Sequence, residues 1–383
     1  MKPGRLSLYR RAGRMLGPVT AAAASVFAGV KKHDSFGFGC VKSGRICAAV
    51  CNAGGMVSLT ADLSPLRPDR NLALELVRAT EAAAIRAVPF IGRGNKEAAD
   101  GAAVDAMRAF LGTVDFQGQV VIGEGEKDNA PMLFNGEIVG RGRGPECDIA
   151  VDPIDGTSLT AAGRQNALSV IAVSDRGTML DASSVFYMDK LVTGPAGVGV
   201  VDIRLPIGEN IRLLAKALGK PVDEIVVSVL NRPRHEKLIE EIREAGAGTR
   251  LMSDGDVAGG INAARHGART DMCVGVGGSP EGIVTACAIK ALGGHIQGSL
   301  WPRDDEERQR GIDAGLDMDK VYEADDLVQG NNTIFVATGV TDGQLVAGVR
   351  REDGYVYTES VVLRGASGTL RRIASEHLVS KWL

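Results

Sequence analysis

The sequence predicts an α/β fold, and two observations carry the prediction. Short apolar runs rich in β-branched residues alternate with longer segments in which apolar residues recur at helical spacing. This alternation is typical of proteins in which sheets and helices pack as layers. At 383 residues the chain is long enough for one large α/β unit or for two domains.

The predicted elements of the first half are helices and apolar strands. Pro89, Gly92 and Gly94 separate the first two helices. A buried strand then leads directly into Asp152, and further apolar strands follow it. The predicted ranges are helices 69–88, 96–111 and 206–218 and strands 120–122, 147–151, 168–173 and 184–191.

The second half begins after the break at Gly219-Lys220-Pro221. Strands and helices alternate again, and the chain ends in hairpins. The segment from Arg303 to Asp313 is so rich in charged and polar residues that we expect a solvated helix face. The predicted ranges are strands 225–230, 250–252, 272–276 and 333–338 and helices 233–245, 257–264 and 279–292.

Residues 1–55 differ from the rest of the chain in charge. They contain nine Lys and Arg and one acid, so this segment is about +8 and the remainder about −11. We expect residues 1–55 to be an extension outside the folded body of the protein or the result of a mis-assigned start, because amphipathic sequence begins soon after Met56. The body is predicted to comprise a half over 56–220 with the metal and phosphate site and a half over 221–383 with substrate-binding residues.

Composition excludes several classes of function. Aromatic residues make up 4% of the chain and the net charge is −3, so nucleic acid is not an expected partner. No apolar run reaches about 18 residues, so no membrane partner is expected. The six Cys show neither zinc-site spacing nor a disulfide pattern. We therefore expect a cytoplasmic protein whose core is filled in part by Cys147, Cys273 and Cys287.

The segment Asp152-Pro153-Ile154-Asp155-Gly156-Thr157 is the most informative motif. It places two carboxylates and a hydroxyl directly after a buried strand. Carboxylate oxygens bind hard cations such as Mg²⁺ and Mn²⁺, which also bind phosphate oxygens. Gly156 permits close backbone approach, and Thr157 stands where a helix begins, with free N–H groups for a phosphate. The motif favours a metal-dependent phosphate-ester hydrolase over an acidic helix cap.

Further polar clusters follow strands or Gly turns, where α/β proteins place ligand sites. Lys96 and Asp100 follow one such turn. Glu124 and Glu126 follow a buried strand, and like charges so close are costly without a cation. Each cluster alone also fits a helix cap or an Asx turn, but their repetition at strand ends favours one site. The clusters are 92–101, 123–126, 232–235, 253–256 and 277–282.

The sequence gives little support to nucleophilic catalysis. It contains no HExxH, GxSxG, P-loop or paired CxxC motif. Of the five His, only His235 falls in one of these clusters. We expect the other body histidines on the surface or in loops, namely His266, His295 and His377.

The Asp152–Thr157 motif resembles the signature of the lithium-sensitive, metal-dependent sugar phosphatases. Further motifs make the chain similar to class II fructose-1,6-bisphosphatases of the GlpX type, from about Leu72 to His377. These motifs occur in the family's order, at 92–96, 99–104, 121–126, 130–133, 166–168, 233–235, 254–258, 277–282 and 337–340.

The resemblance implies a layered α-β-α-β-α sugar-phosphatase fold. It implies hydrolysis of the 1-phosphate of fructose 1,6-bisphosphate to fructose 6-phosphate, a gluconeogenic reaction that uses Mn²⁺ or Mg²⁺, by a homodimer or homotetramer. Thr157 would activate or orient the attacking water, and Lys96 and Asp100 would assist near the phosphate. The implied metal ligands are Asp100, Glu124, Asp152, Asp155 and Glu281. The implied substrate contacts are Asp155, Gly156, Thr157, Tyr187, Arg232, Pro233, Arg234, Asp254, Gly255, Asp256 and Gly278.

Three alternatives remain open at the level of sequence. In the first alternative, sedoheptulose 1,7-bisphosphate would be a second substrate or the preferred one. A related phosphatase would act on inositol or nucleotide phosphates, although the pair Arg232 and Arg234 favours a substrate with two phosphates. A protein of another class, a non-catalytic sensor of metal or sugar phosphate, would be expected to lack Glu124, Asp152 or Thr157, and all three are present.

Overall fold

The computed structural model describes residues 36–38, 47–52, 55–60, 72–124 and 133–382. By their internal contacts the residues form one unit over Met1–Pro65 and another over Leu66–Leu383. In the first unit an antiparallel sheet has the order β1 (Phe36–Phe38), β2 (Cys47–Asn52), β3 (Gly55–Thr60). The expectation that residues 1–55 lie outside the folded enzyme stays a prediction, as does the division of the body at residue 220.

The second unit alternates strands and helices, as the sequence predicts. Its described strands are β4 (Gln117–Ile122), β5 (Ile138–Val139), β6 (Glu146–Asp155), β7 (Leu168–Asp175), β8 (Tyr187–Thr193), β9 (Val226–Leu230), β10 (Gly248–Met252), β11 (Met272–Gly278), β12 (His295–Leu300), β13 (Val321–Glu323), β14 (Ile334–Gly339), β15 (Arg350–Glu352), β16 (Tyr355–Arg364) and β17 (Thr369–Leu378). Its described helices are α1 (Leu72–Ala87), α2 (Lys96–Leu111), α3 (Thr157–Ala162), α4 (Ile207–Leu218), α5 (Glu236–Glu244), α6 (Val257–Ala264), α7 (Ser279–Leu292), α8 (Asp305–Asp313), α9 (Ala324–Leu327) and α10 (Val379–Trp382).

Two mixed sheets organise this unit. The larger has the order β15-β16-β14-β7-β6-β4-β5, with β17 paired to β16. The smaller has the order β10-β9-β11-β8-β12-β13. Strands β9, β10 and β11 are parallel, and β8 runs antiparallel to β11. The carboxyl ends of β9, β10 and β11 and the start of β8 therefore meet at one edge of the smaller sheet.

The helices and sheets stack as five layers. Helices α1 and α2 pack on one face of the larger sheet. Helices α6 and α7 fill the space between the two sheets, and α4 and α5 cover the outer face of the smaller sheet. This is the α-β-α-β-α order that the family resemblance implies, so that prediction is confirmed.

Side-chain alternation along β7 shows why the layers form. Ile171 and Val173 pack with α1 and α2, while Leu168, Val170 and Ala172 pack with α6 and α7. Successive side chains of a strand point to opposite faces, so the four consecutive apolar residues at 170–173 require a layer on both sides. Helix α7 lies between two sheets, and its buried residues accordingly surround its axis.

Most predicted elements are confirmed, and helices 96–111, 257–264 and 279–292 have the predicted bounds. Strand β12 was not predicted, because Gln297, Gly298 and Ser299 break its apolar pattern. A Cβ on Gly298 would overlap the Met188 side chain, so the sheet requires a glycine there. No described helix combines the length and apolar character needed to cross a membrane.

Two local expectations are wrong, and a third holds only in part. His377 is 8% exposed, and its Nε2 lies 3.0 Å from Thr358 Oγ1, which donates to the buried Glu81. His295 begins β12 instead of lying in a loop, with its side chain 11% exposed. Helix α8 is mostly solvated as predicted, but Glu307 is 1% exposed and accepts a hydrogen bond from the Phe186 amide. The sequence could not reveal these long-range partners.

Candidate active site

Strand β6 contains the two carboxylates of the Asp152–Thr157 motif, Asp152 and Asp155. Its register with β7 shifts between Asp152 and Asp155, so the strand is irregular where the two acids leave it. Asp152 Oδ1 accepts a hydrogen bond from the Ile154 amide at 3.0 Å. Gly156 then adopts a left-handed conformation with φ of +90°, which favours glycine, and α3 begins at Thr157. Sequence and local geometry therefore agree on a strand, a turn and a helix start.

The structure brings the five predicted metal ligands together, and we call them the acidic cluster. Asp100 lies in α2, Glu124 follows β4, Asp152 and Asp155 lie in β6, and Glu281 lies in the first turn of α7. Burial raises the pKa of Asp152 well above its usual range, and the charges of the other four carboxylates raise it further. All four are therefore close enough to Asp152 to repel it. Glu126 lies outside the described residues.

Asp155 is the most enclosed part of the acidic cluster that the structure describes in detail. It is 2% exposed, and its Oδ2 has no hydrogen-bond partner among the described residues. Burial raises its pKa, followed by the charges of Glu281, Asp256 and Asp254. A Cβ on Gly255 would lie 2.8 Å from Asp155 Oδ1. The glycine therefore lets the turn after β10 lie directly against this carboxylate.

These observations fit a hard divalent cation. An unpartnered buried carboxylate oxygen beside several other carboxylates is unfavourable unless a cation compensates it. Oxygen-only ligands suit Mg²⁺ and Mn²⁺ rather than softer metals. Within the described ranges, no three His, Cys, Asp or Glu side chains already surround one point closely enough to hold an ion. The fit therefore rests on the mutual repulsion and on the unpartnered oxygen of Asp155.

A basic side chain lies beside the start of α3. Lys96 Nζ donates to Ser158 Oγ at 2.6 Å. The turn before α2 is held against α3 by two backbone bonds, from Gly92 N to Thr160 O at 2.9 Å and from Gly94 N to Ala161 O at 2.8 Å. The ammonium group of Lys96 and the hydroxyl-bearing start of α3, where Thr157 lies, are thus held in one local assembly.

Apart from Asp155, Gly156 and Thr157, the predicted substrate contacts lie at or next to this edge of the smaller sheet. Arg232 donates to the Ser253 carbonyl at 2.7 Å and to Asp254 Oδ1 at 2.8 Å. Arg234 donates to the Val276 carbonyl at 2.8 Å, and its guanidinium lies 4.8 Å from the centre of the Tyr187 ring. Tyr187 pairs with Gly278 across β8 and β11, and Pro233 begins a short 3₁₀ turn after β9.

His235, the one histidine of the predicted clusters, has a structural position. Its Nε2 accepts from the Val276 amide at 2.8 Å, and its Nδ1 lies 2.8 Å from the Leu230 carbonyl. A ring that accepts at Nε2 must carry its proton on Nδ1, so His235 is neutral here. Burial lowers the pKa of His235. The ring thus joins the ends of β9 and β11 beneath the substrate edge.

Lys190 is the residue that the sequence analysis missed. It is 6% exposed, and its Nζ lies 2.6 Å from Asp256 Oδ2. Burial opposes its charge, but Asp256 and Glu281 together raise the pKa of Lys190. A signal was present, since Met188, Lys190 and Val192 alternate on one face of β8, and the two apolar residues face the core between the sheets. A lysine on a core-facing position requires a buried partner.

A cavity of about 330 Å³ adjoins this edge. Its wall includes Ser253, Asp254 and Gly255 from the predicted substrate turn, and Arg164 and Arg250 as further cations. Arg164 also donates to Ser253 Oγ at 3.2 Å. The volume falls within the range of small-molecule sites. Sequence reasoning did not select either arginine, because neither lies in a recognisable motif.

Comparison with known proteins decides the family. Residues 70–377 match the family described as bacterial fructose-1,6-bisphosphatase, glpX-encoded. The chain belongs to this family. It is 45% identical over 329 residues to fructose-1,6-bisphosphatase 1 class 2 of Escherichia coli (strain K12), covering 82% of this chain and 96% of the relative. The class 2 fructose-1,6-bisphosphatase of Shigella flexneri shows the same identity and coverage.

The chain is also similar, much more weakly, to one solved structure. An extragenic suppressor from Pyrococcus furiosus is 14% identical and has a TM-score of 0.26, covering 51% of this chain and 70% of that one. A likeness this weak carries no argument about the chain. Membership of the family described as glpX-encoded bacterial fructose-1,6-bisphosphatases rests on the matched residues, which include the acidic cluster and the substrate edge.

Proposed function

We propose that this enzyme hydrolyses the 1-phosphate of fructose 1,6-bisphosphate and releases fructose 6-phosphate and phosphate, a reaction of gluconeogenesis. The observation that carries the proposal is the buried carboxylate of Asp155, whose Oδ2 has no hydrogen-bond partner among the described residues. The contact between Lys96 and Ser158 adds a positive charge at the start of α3. Phosphate-ester hydrolysis depends on charge neutralisation and positioning more than on a covalent nucleophile. Family membership supports the substrate.

Asp100, Glu124, Asp152, Asp155 and Glu281 would hold divalent cations, Mn²⁺ or Mg²⁺, in the proposed site. Bound cations supply Lewis-acid polarisation of the phosphoryl oxygens and a more acidic water. Thr157 would orient the attacking water and accept or donate a proton at Oγ1. Lys96 would neutralise phosphate oxygens next to Ser158. The Gly156–Thr157 turn would present backbone donors where negative charge develops.

The smaller-sheet edge would hold the sugar and the second phosphate. Arg232 and Arg234 provide planar donors that suit a phosphate, and Tyr187 supplies an aromatic wall beside Arg234. Asp254 and Asp256 would accept hydrogen bonds from sugar hydroxyls, and Gly278 would contribute its backbone. Pro233 and Gly255 shape the two turns. Two positively charged groups on this side favour a bisphosphate over a monophosphate.

The deciding experiment is phosphate release by the full chain from fructose 1,6-bisphosphate, with Mn²⁺ or Mg²⁺ and then with excess chelator. We expect release that stops with the chelator, and ³¹P NMR should identify fructose 6-phosphate as the product. Sedoheptulose 1,7-bisphosphate, inositol 1-phosphate and a nucleotide monophosphate are assayed in parallel. A higher kcat/KM on any of these would replace the proposed substrate, and no turnover by the folded protein would favour a sensor.

We further propose that the enzyme works as a homodimer or homotetramer in the cytoplasm. The buried Cys273 and Cys287 are free, which fits a reducing compartment. Light scattering during size-exclusion chromatography measures the oligomeric state directly. A single species at the monomer mass of 40.1 kDa would contradict this part of the proposal.

A further inference from the structure

We propose that Lys190 is a positioning residue for substrate binding, which holds the carboxylate of Asp256 and the carbonyl of Gly278 in the geometry that the sugar requires. The inference deepens the proposed function and rests on it, because Asp256 and Gly278 contact substrate only under that proposal. Lys190 itself lies beneath these two groups rather than at the surface of the site.

The contacts of Lys190 join three elements. Its Nζ lies 2.6 Å from Asp256 Oδ2 and donates to the Gly278 carbonyl at 2.9 Å. Lys190 belongs to β8, Asp256 immediately precedes α6, and Gly278 ends β11. One ammonium group therefore fixes the ends of a helix and a strand relative to a third element. Both fixed groups are in the set predicted to contact substrate.

The surroundings of Lys190 are built to admit this side chain. A Cβ on Gly277 would overlap Asp256 Oδ2 and lie 2.8 Å from Lys190 Nζ. A Cβ on Gly282 would lie 3.2 Å from Lys190 Cδ. Two glycines thus leave the space that the lysine and its partner occupy. A larger residue at Gly277 would displace the ion pair, and one at Gly282 would press on Met188 and on the lysine stem.

Solvent cannot replace the ammonium group. The side chains of Lys190 and Asp256 are 6% and 9% exposed. The cavity that both residues line has a volume of about 10 Å³, which is at the lower limit for one water molecule. Loss of Lys190 would leave the Asp256 carboxylate buried without a cation and free to leave its position. The charge of Asp256 raises the pKa of Asp155 and of Glu281, so these two carboxylates would repel it.

The experiment is a double-mutant cycle on the full-length enzyme with Lys190→Met, Asp256→Asn and the double variant. Methionine keeps the unbranched apolar stem up to the position of Cε and removes the ammonium group. Two quantities are measured: KM and kcat for fructose 1,6-bisphosphate with Mn²⁺, and the Kd for fructose 6-phosphate by calorimetry in excess chelator. The second measurement needs neither metal nor turnover. Lys220→Met serves as the matched control, because Lys220 forms an ion pair of the same 2.6 Å length with Asp271 outside the proposed site.

We expect Lys190→Met to raise both KM and the Kd for fructose 6-phosphate by about 30-fold or more, while kcat falls by less than about 10-fold. The double variant should bind about as weakly as either single variant, because both changes disable the same contact. The positioning role would be overturned if the Kd of the double variant rose by the product of the two single-variant factors. Unchanged KM and Kd in a folded Lys190→Met protein would also overturn it.

The two proposals fail in different ways. A wild-type enzyme that binds fructose 6-phosphate but releases no phosphate would contradict the proposed function. The double-mutant cycle, measured through the Kd for fructose 6-phosphate, would still decide the role of Lys190. If Lys190→Met does not fold, the double variant removes both charges and should fold. Wild-type affinity for fructose 6-phosphate in that folded double variant would overturn the inference.

Discussion

Substitution of Asp152 by Asn should stabilise the metal-free protein and remove most of its activity. The fold has little reason to change, since Asn can still accept the hydrogen bond from the Ile154 amide at Oδ1. The negative charge is lost, and with it the repulsion between Asp152 and the other four acids of the cluster. The two effects have opposite signs because the same charges that would bind a cation destabilise the folded chain without it.

The size of each effect follows from the arrangement of charges. Two unit charges about 6 Å apart in a medium of effective dielectric constant about 20 repel by about 3 kcal/mol. Partial protonation of the raised-pKa carboxylates reduces this, so we expect the free energy of unfolding in chelator to rise by about 1–3 kcal/mol. Loss of one preorganised electrostatic group should lower kcat by at least about 100-fold.

Asp148 provides a matched control in the same strand. It is 2% exposed, and its Oδ2 accepts from the Thr178 amide at 2.7 Å and the Met179 amide at 3.0 Å. Asp148→Asn weakens bonds that the fold uses, so it should lower the free energy of unfolding by about 1–3 kcal/mol and leave kcat within about threefold.

Urea unfolding in chelator and phosphate release with Mn²⁺ measure both variants. Wild-type turnover in Asp152→Asn, or a loss of stability as large as that of Asp148→Asn, would refute the assignment of Asp152 to a cation site.

Three further predictions use other contacts. Gly278→Ala places a Cβ in the position of Glu281 Oε2, so kcat should fall by at least about 100-fold in a phosphate-release assay, while Gly248→Ala, whose nearest atom is 3.6 Å away, should not change kcat. Arg234→Lys loses a planar donor and the contact with Tyr187, so KM for the bisphosphate should rise by about 10-fold with kcat nearly unchanged. The buried His235 has a lowered pKa, so the unfolded chain, with a pKa near 6.5, binds a proton more readily. Stability should therefore fall as pH drops below about 6.5, by at most about 1.4 kcal/mol per pH unit, and urea unfolding of His235→Gln should lack this component.

The sequence predicted the layers and the acidic cluster because both depend on local patterns. The four consecutive apolar residues at 170–173 in β7 require a layer on each face, and that requirement is visible in the sequence. The acids of the cluster follow strand ends and Gly turns, and the carboxyl ends of neighbouring strands converge in an α/β sheet. The position of Asp155 against Gly255 then follows from the pairing of motifs that lie far apart in the chain.

The contacts that were missed depend on long-range packing. Glu307 looked like one more charge on a solvated helix, yet it is buried because the Phe186 amide needs an acceptor there. His377 looked like a surface residue, but β17 pairs with β16 and places it beside Thr358. The spacing of residues in sequence does not encode which strands become neighbours, so these partners required the structure.

Lys190 connects the two parts of the site through charge. Burial and Glu281 raise the pKa of Asp155, and Lys190 opposes that increase. Burial also raises the pKa of Glu281, which Lys190 again opposes. A cation on the sugar side therefore reduces the repulsion within the acidic cluster without occupying it. This arrangement leaves Asp155 and Glu281 available to a divalent cation. The central position of β8 between β11 and β12 makes it the strand from which one lysine can serve both parts of the site.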